Sequence, residues 1–304
     1  MSVPGELPKL TAPVMLAAFE GWNDAGDAAT SAIEHLEDAW DATPLAALDP
    51  EDYYDYQVNR PSVELDDSGA RRVTWPTTRL SVVALPGAQR DLVLARGIEP
   101  SMRWRAFCVE LIKIARELRV ELVVTLGALL ADAPHTRPVP VSGTSSDLGM
   151  SQRLRLQPSQ YEGPTGIVGV LQDACTRSGL PAVSFWAAVP HYVAQPPCPK
   201  AAVALLRRVE DLLDVPVPLG DLPEQARAWQ TGVDELAAED SDLAEYVRSL
   251  EQAKDAAELP EASGEAIAQE FERYLRRRGP GSGGGPSGSP GPSGPGGSRG
   301  PGRP

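Results

Sequence analysis

The chain has 304 residues, 42% of them hydrophobic, and a formal net charge of −14. That apolar content supports a packed core, and the acidic excess excludes a nucleic-acid binder, because phosphate backbones require a basic face. The N-terminus lacks a basic stretch leading into an apolar one, and the longest apolar run, Val120 to Ala131, is too short for a bilayer; the expectation is a cytoplasmic chain with no membrane contact.

The first apolar run, Val14–Phe19, reads as a buried strand. It breaks into Glu20-Gly21-Trp22-Asn23-Asp24-Ala25-Gly26 and then into a helical pattern from Asp27 to Trp40, with Ile33, Leu36 and Trp40 on one face. Strand, glycine turn and helix form the opening unit of an α/β sheet, whose ligand sites lie at the carboxyl ends of strands. Further strand signals fall at Tyr53–Val58, Arg71–Trp75, Leu80–Leu85, Leu92–Arg96, Glu121–Leu126, Pro140–Thr144 and Ala182–Ala188. Helical stripes run over Ser101–Arg119, with Ser101 as N-cap, over Thr165–Ser178, closed by Gly179 and Pro181, and over Pro199–Leu213. This alternation predicts an α/β fold with a mixed, mostly parallel central sheet covered on both faces, spanning residues 1–220.

After Gly220 the strands stop. Asp221–Ala238, Ser241–Ala257 and Gly264–Arg278 read as three helices of an acidic extension over residues 221–278, their acidic faces solvated. From Gly279 to Pro304 nearly every residue is Gly, Pro or Ser, and the expectation is a disordered tail.

The chemistry-bearing residues cluster in three loops. The first, Glu20, Gly21, Trp22, Asn23 and Asp24, lacks a Gly-x-Gly-x-x-Gly fingerprint, and its acids would repel a phosphate. Asp27 is read as the cap or first-turn acid of the helix that follows. The second loop holds His135, Thr136 and Arg137 between Pro134 and Pro138, and the third holds His191 and Tyr192 after Pro190. Both follow buried strands. For His135 a ligand contact and a purely structural hydrogen bond stand side by side. If the loops converge, Glu20, Gly21, Trp22, Asn23, Asp24, His135, Arg137, His191 and Tyr192 line one cleft. His35, on the first helix, reads as a surface or satisfied residue. No Gly-x-Ser-x-Gly elbow, His-x-x-x-His pair or paired-cysteine motif is present, so no catalytic residue, metal or cofactor is assigned. Cys108 and Cys175 sit among apolar residues and read as buried, reduced thiols.

Taken together, these segments resemble the PAC2 family, relatives of proteasome assembly chaperone 2, in its actinobacterial form. The resemblance rests on Glu20 to Ala29, Tyr54 to Pro61, Glu99 to Arg105, Leu126 to Asp132, Pro134 to Pro138, Tyr161 to Gly166 and Pro190 to Tyr192. It implies a sandwich similar to nucleoside phosphorylases, homo-oligomers, and a chaperone-like or scaffold role with proteasome core-particle subunits as partners. Some archaeal relatives dock through a C-terminal hydrophobic-Tyr-X ending; Gly302-Arg303-Pro304 does not match it. The favoured reading is therefore a non-enzymatic assembly or interaction protein. The alternative is a small-molecule enzyme or binder with a phosphorylase-like or hydrolase-like cleft lined by the residues above.

Overall fold

The computed structural model describes residues 7–258 apart from 67, 86–87, 146 and 157–160, all within the unit Met1–Pro260. The expected helix Gly264–Arg278 and the tail Gly279–Pro304 lie outside the described residues. In chain order the elements are β1 (Val14–Glu20), α1 (Ala28–Ala39), β2 (Thr43–Ala47), β3 (Ser62–Leu65), β4 (Arg71–Thr74), β5 (Arg79–Val83), β6 (Leu92–Ile98) and α2 (Trp104–Glu117). They continue with β7 (Leu122–Ala131), β8 (Val141–Ser145), α3 (Leu148–Arg153), α4 (Ile167–Arg177), β9 (Ala182–Pro190), α5 (Pro199–Leu213), α6 (Leu222–Glu239) and α7 (Ser241–Glu258).

A seven-stranded sheet runs in the order β2-β5-β6-β1-β7-β9-β8. Its central strands β6, β1, β7 and β9 are parallel, and β5, β2 and β8 complete the edges with antiparallel pairs. β1 shows how the sequence specifies this. Val14, Leu16 and Ala18 enter one core with α1 and α5, while Met15, Ala17 and Phe19 enter the other with α2 and α4. A strand buried on both faces has no polar side to show, hence the unbroken apolar run. The helices carry the complementary stripes: Ala202, Leu205, Leu206, Val209 and Leu213 of α5, and Phe107, Leu111 and Ile114 of α2, are all buried. The Phe107 ring meets Phe19 and Tyr53 edge-on at 5.6 and 5.3 Å between centroids. Truncating such a ring to alanine costs about 3–5 kcal/mol.

The structure departs from the sequence reading in four places. Tyr53–Val58 is not a strand. Its alternating tyrosines anchor instead: the Tyr53 hydroxyl donates to Glu110 of α2, and that of Tyr54 donates to the Ile98 carbonyl at 2.9 Å. The chain then turns, with the Val58 and Asn59 amides donating to the Asp55 carbonyl. Ser101 does not cap α2, whose N-cap is Arg103; the Ser101 hydroxyl accepts from the Asp55 amide and the Asn59 side chain. β7 and β9 run further than expected, to Ala131 and Pro190, because their pairing continues in register to those residues. β2, β3 and α3 have no clear signal; each is four to six residues long, too short for periodicity to speak.

β3 and β4 form a separate two-stranded hairpin. The acidic helices α6 and α7 appear where expected, α6 against α5 and α7 against α6. All three cysteines are free and buried, and burial pushes the Cys108 and Cys175 thiols up to about 12. No helix among the described residues is long and apolar enough to cross a membrane.

Candidate functional site

The first loop leaves the carboxyl end of β1 and is held by its own polar side chains. Gly21 adopts φ +106°, a conformation that L side chains rarely adopt. Glu20, Gly21 and Trp22 are exposed, Trp22 at 65%, whereas Asn23 and Asp24 are buried. Asp27 takes the N-cap position of α1, but the side chain that receives the start of the helix is that of Asp24. Its carboxylate accepts from the Ala29 amide at 2.6 Å, from the Thr30 amide at 3.1 Å and from the Thr30 hydroxyl. Asp27 adopts a left-handed backbone and makes no capping hydrogen bond. Burial raises the Asp24 carboxyl to about 6, against the lowering effect of those three donors. Asn23 ties the loop outward. Its Nδ2 donates to Glu99 Oε1 at 2.6 Å, and the same oxygen accepts from the Ile167 amide at the start of α4. Gly166 makes this possible, because a Cβ there would lie 2.2 Å from Asn23 Oδ1.

The second and third loops do meet. The His135 side chain is buried at 1% exposure. The Tyr192 hydroxyl stands 2.8 Å from both the backbone nitrogen and Nδ1 of His135, and His135 Nε2 stands 2.9 Å from Asp234 Oδ1 on α6. The Nε2–H tautomer satisfies every one of these atoms: the hydroxyl accepts the backbone N–H and donates to Nδ1, and Nε2–H donates to the carboxylate. Lys200 of α5 donates to the His135 carbonyl and to Gln230 Oε1, and burial lowers its pKa. Arg137 makes a two-point contact with Asp255, Nε and Nη2 to the two carboxylate oxygens at 2.9 and 2.8 Å, and reaches Glu251 at 3.2 Å. The guanidinium holds the Asp255 carboxyl below its ordinary value. His191 Nδ1 lies 3.2 Å from Asp132 Oδ1, which also accepts from the Tyr246 hydroxyl. The rings of His191, Tyr192 and Tyr246 contact one another edge to face.

His135 and Tyr192 are therefore brought together; α6 supplies Asp234 to His135, and α7 supplies Glu251 and Asp255 to Arg137 and the Tyr246 ring to His191 and Tyr192. The first loop is tied to β7, where the Ala128 amide donates to the Asn23 carbonyl at 2.7 Å. His35 is satisfied, its Nε2 2.6 Å from the Pro218 carbonyl. What sequence reasoning misses is the acidic half of the seam: Asp234, Glu251 and Asp255 belong to faces expected to be solvated, and each meets a cation or a histidine. The available signal was the spacing of Glu251 and Asp255, one helical turn apart and so on one face, where a single arginine can reach both.

Comparison with known proteins follows from this geometry. The model of the PAC2 family matches residues 18–237. A crystal structure of a PAC2 family protein from Streptomyces avermitilis is 68% identical, with a TM-score of 0.74, covering 77% of this chain and 99% of that one. The structure of a Mycobacterium tuberculosis proteasome-assembly chaperone homologue is 59% identical, with a TM-score of 0.71 and the same coverage. An archaeal proteasome activator from Pyrococcus furiosus shares the fold, with a TM-score of 0.61 at 16% identity over 76% of this chain and 96% of that one. No curated protein matches the chain.

Proposed function

Because this chain belongs to the PAC2 family, we propose that it is a non-enzymatic assembly-chaperone-like or scaffold protein whose partners are proteasome core-particle subunits and further copies of itself. The observation that carries this reading is the fate of the loop residues. A general acid or base has to reach the proton it moves. His135 instead reaches Tyr192 and Asp234, Arg137 reaches Asp255 and Glu251, and His191 reaches Asp132. His135 and Arg137 serve to fasten the acidic extension that begins at residue 221 to the α/β part that precedes it.

Exposed apolar side chains on the outer helices offer contact points: Val109 of α2 is 66% exposed and Leu236 of α6 is 54% exposed. The place of action is the cytoplasm. The test is purification of the tagged chain from its native cytoplasm, with mass spectrometry of co-purifying proteins and light scattering of the pure chain. Stoichiometric recovery of unprocessed core-particle subunits, reduced by Val109→Asp or Leu236→Asp, is expected. A chain that stays monomeric across micromolar concentrations and captures no proteasome subunit overturns the reading.

A further inference from the structure

A cavity of about 220 Å³ opens at the carboxyl ends of β1 and β6, beside the β3–β4 hairpin. Its wall carries three guanidinium groups, Arg60, Arg79 and Arg96, together with the carboxyls of Glu20 and Glu37 and the ring of Trp75. Arg79 and Arg96 are direct cross-strand partners in the antiparallel β5–β6 pair. Like charges in that position destabilise a sheet unless something neutralises them. Arg96 is neutralised from α1, with Nε 3.0 Å from Glu37 Oε2 and Nη1 3.4 Å from Glu34 Oε1. Glu37 is fully engaged, since it also accepts from the Ser81 hydroxyl at 2.8 Å.

The side chains of Arg60 and Arg79 make no hydrogen bond or ion pair with any described residue. One carboxylate of the wall remains to set against them, that of Glu20, which burial pushes above its ordinary value despite the attraction of Arg96 and Arg79. Glu34 and Glu37 are both spent on Arg96, so the two guanidinium groups of Arg60 and Arg79 face the pocket with Glu20 as the one carboxylate of its wall not tied to Arg96. Beside these cations the wall turns apolar, with Ile98 and with Trp75, whose ring is braced by Tyr56 at 4.8 Å between centroids.

We propose that this pocket binds a small organic monocarboxylate, its carboxylate held by Arg60 and Arg79 and its apolar body lying against Trp75 and Ile98. The guanidinium fork matches carboxylate geometry at two points. The Glu20 carboxylate in the same wall repels a second negative charge, which favours a monoanion over a phosphate dianion. The position, at the carboxyl ends of parallel strands, is where α/β sheets place ligands. The site is separate from the His135–Asp234 seam and does not rest on the assembly role.

Calorimetric titration of the full chain with benzoate, benzamide and phenyl phosphate tests this. Benzoate is expected to bind with a millimolar or tighter dissociation constant, phenyl phosphate more weakly, and the uncharged benzamide not at all. Arg60→Ala and Arg79→Ala should each weaken benzoate by about tenfold or more, the loss expected when a charged hydrogen bond is removed. Glu20→Gln should tighten it, because a repelling charge is gone. Should Arg79→Ala fail to fold, Arg79→Lys, which keeps the charge but not the fork, gives the same comparison with a smaller loss. Absence of benzoate binding, equal binding of benzamide, tighter binding of phenyl phosphate, or folded arginine variants with unchanged affinity would each overturn the proposal.

Discussion

His135 Nε2 and Asp234 Oδ1 lie 2.9 Å apart although 99 positions separate them in the chain. This contact joins the loop after β7 to helix α6. The histidine side chain is buried while the aspartate side chain is half exposed. One end of the bond is therefore shielded from water, and its loss leaves the buried Nε2 without a partner, while Nδ1 keeps the Tyr192 hydroxyl. Asp234→Ala is expected to lower stability by about 1–3 kcal/mol, the cost of stranding a buried polar group. Denaturant unfolding of the variant checks this. Hydrogen exchange should show α6 and α7 opening before the sheet does, and uniform loss of protection across the sheet would contradict a local role.

Arg137 makes the more exposed contact, its side chain 33% exposed and that of Asp255 52% exposed. Solvent screens such a pair, so Arg137→Ala should cost no more than about 1 kcal/mol globally. Its local effect should be larger: amide exchange in α7 should rise, and raising the salt concentration should mimic the substitution in the parent protein. Salt-independent exchange in α7 would show that apolar contacts hold it.

Asp24 predicts a pH dependence. Its carboxyl is raised from 3.8 to about 6 in the folded state, chiefly by burial. The folded protein therefore holds this proton more tightly than the unfolded chain does. The resulting stabilisation is complete below the unfolded value and is lost as pH rises through about 6. The upper bound is about 3 kcal/mol for a shift of that size. The difference in unfolding free energy between the parent and Asp24→Asn, measured from pH 5 to pH 7.5, isolates this component from the general acidic charge. A difference that does not change with pH would remove the assignment.

Gly21 tests the first loop. A Cβ at this position would meet only Glu99 Cβ, at an ordinary 3.8 Å, so the obstacle is the backbone angle and not space. Gly21→Val should therefore destabilise by about 1–3 kcal/mol through strain alone. An unchanged melting temperature would mean that the loop adopts another conformation at no cost.

The legible parts of the fold were those where one residue's neighbours along the chain decide its environment. β1 and β6 are buried on both faces and so read as apolar runs; α5 buries one stripe, and its expected ends, Pro199 and Leu213, are the observed ones. Tyr53–Val58 misled because alternation there reflects two hydroxyl anchors and not a pleated strand. Ser101 misled for a related reason: its residue type suits a cap, but its hydroxyl serves the Asp55 amide and the Asn59 side chain. Asp27 does take the N-cap position of α1, yet the amides that need an acceptor there are served by the side chain of Asp24.

The candidate site divides along the same line. Sequence alone determined that His135, Arg137, His191 and Tyr192 follow buried strands, because apolar runs locate the strands, although β7 and β9 continue past the expected ends to Ala131 and Pro190. Only the tertiary structure decided what those residues face. Asp234, Glu251 and Asp255 look like any solvated helix surface in one dimension, since an acidic helix face carries no mark of the cation it will meet. The unmatched Arg60 and Arg79 were equally silent, because whether a charge has a partner is a property of distances between elements, not of order along the chain.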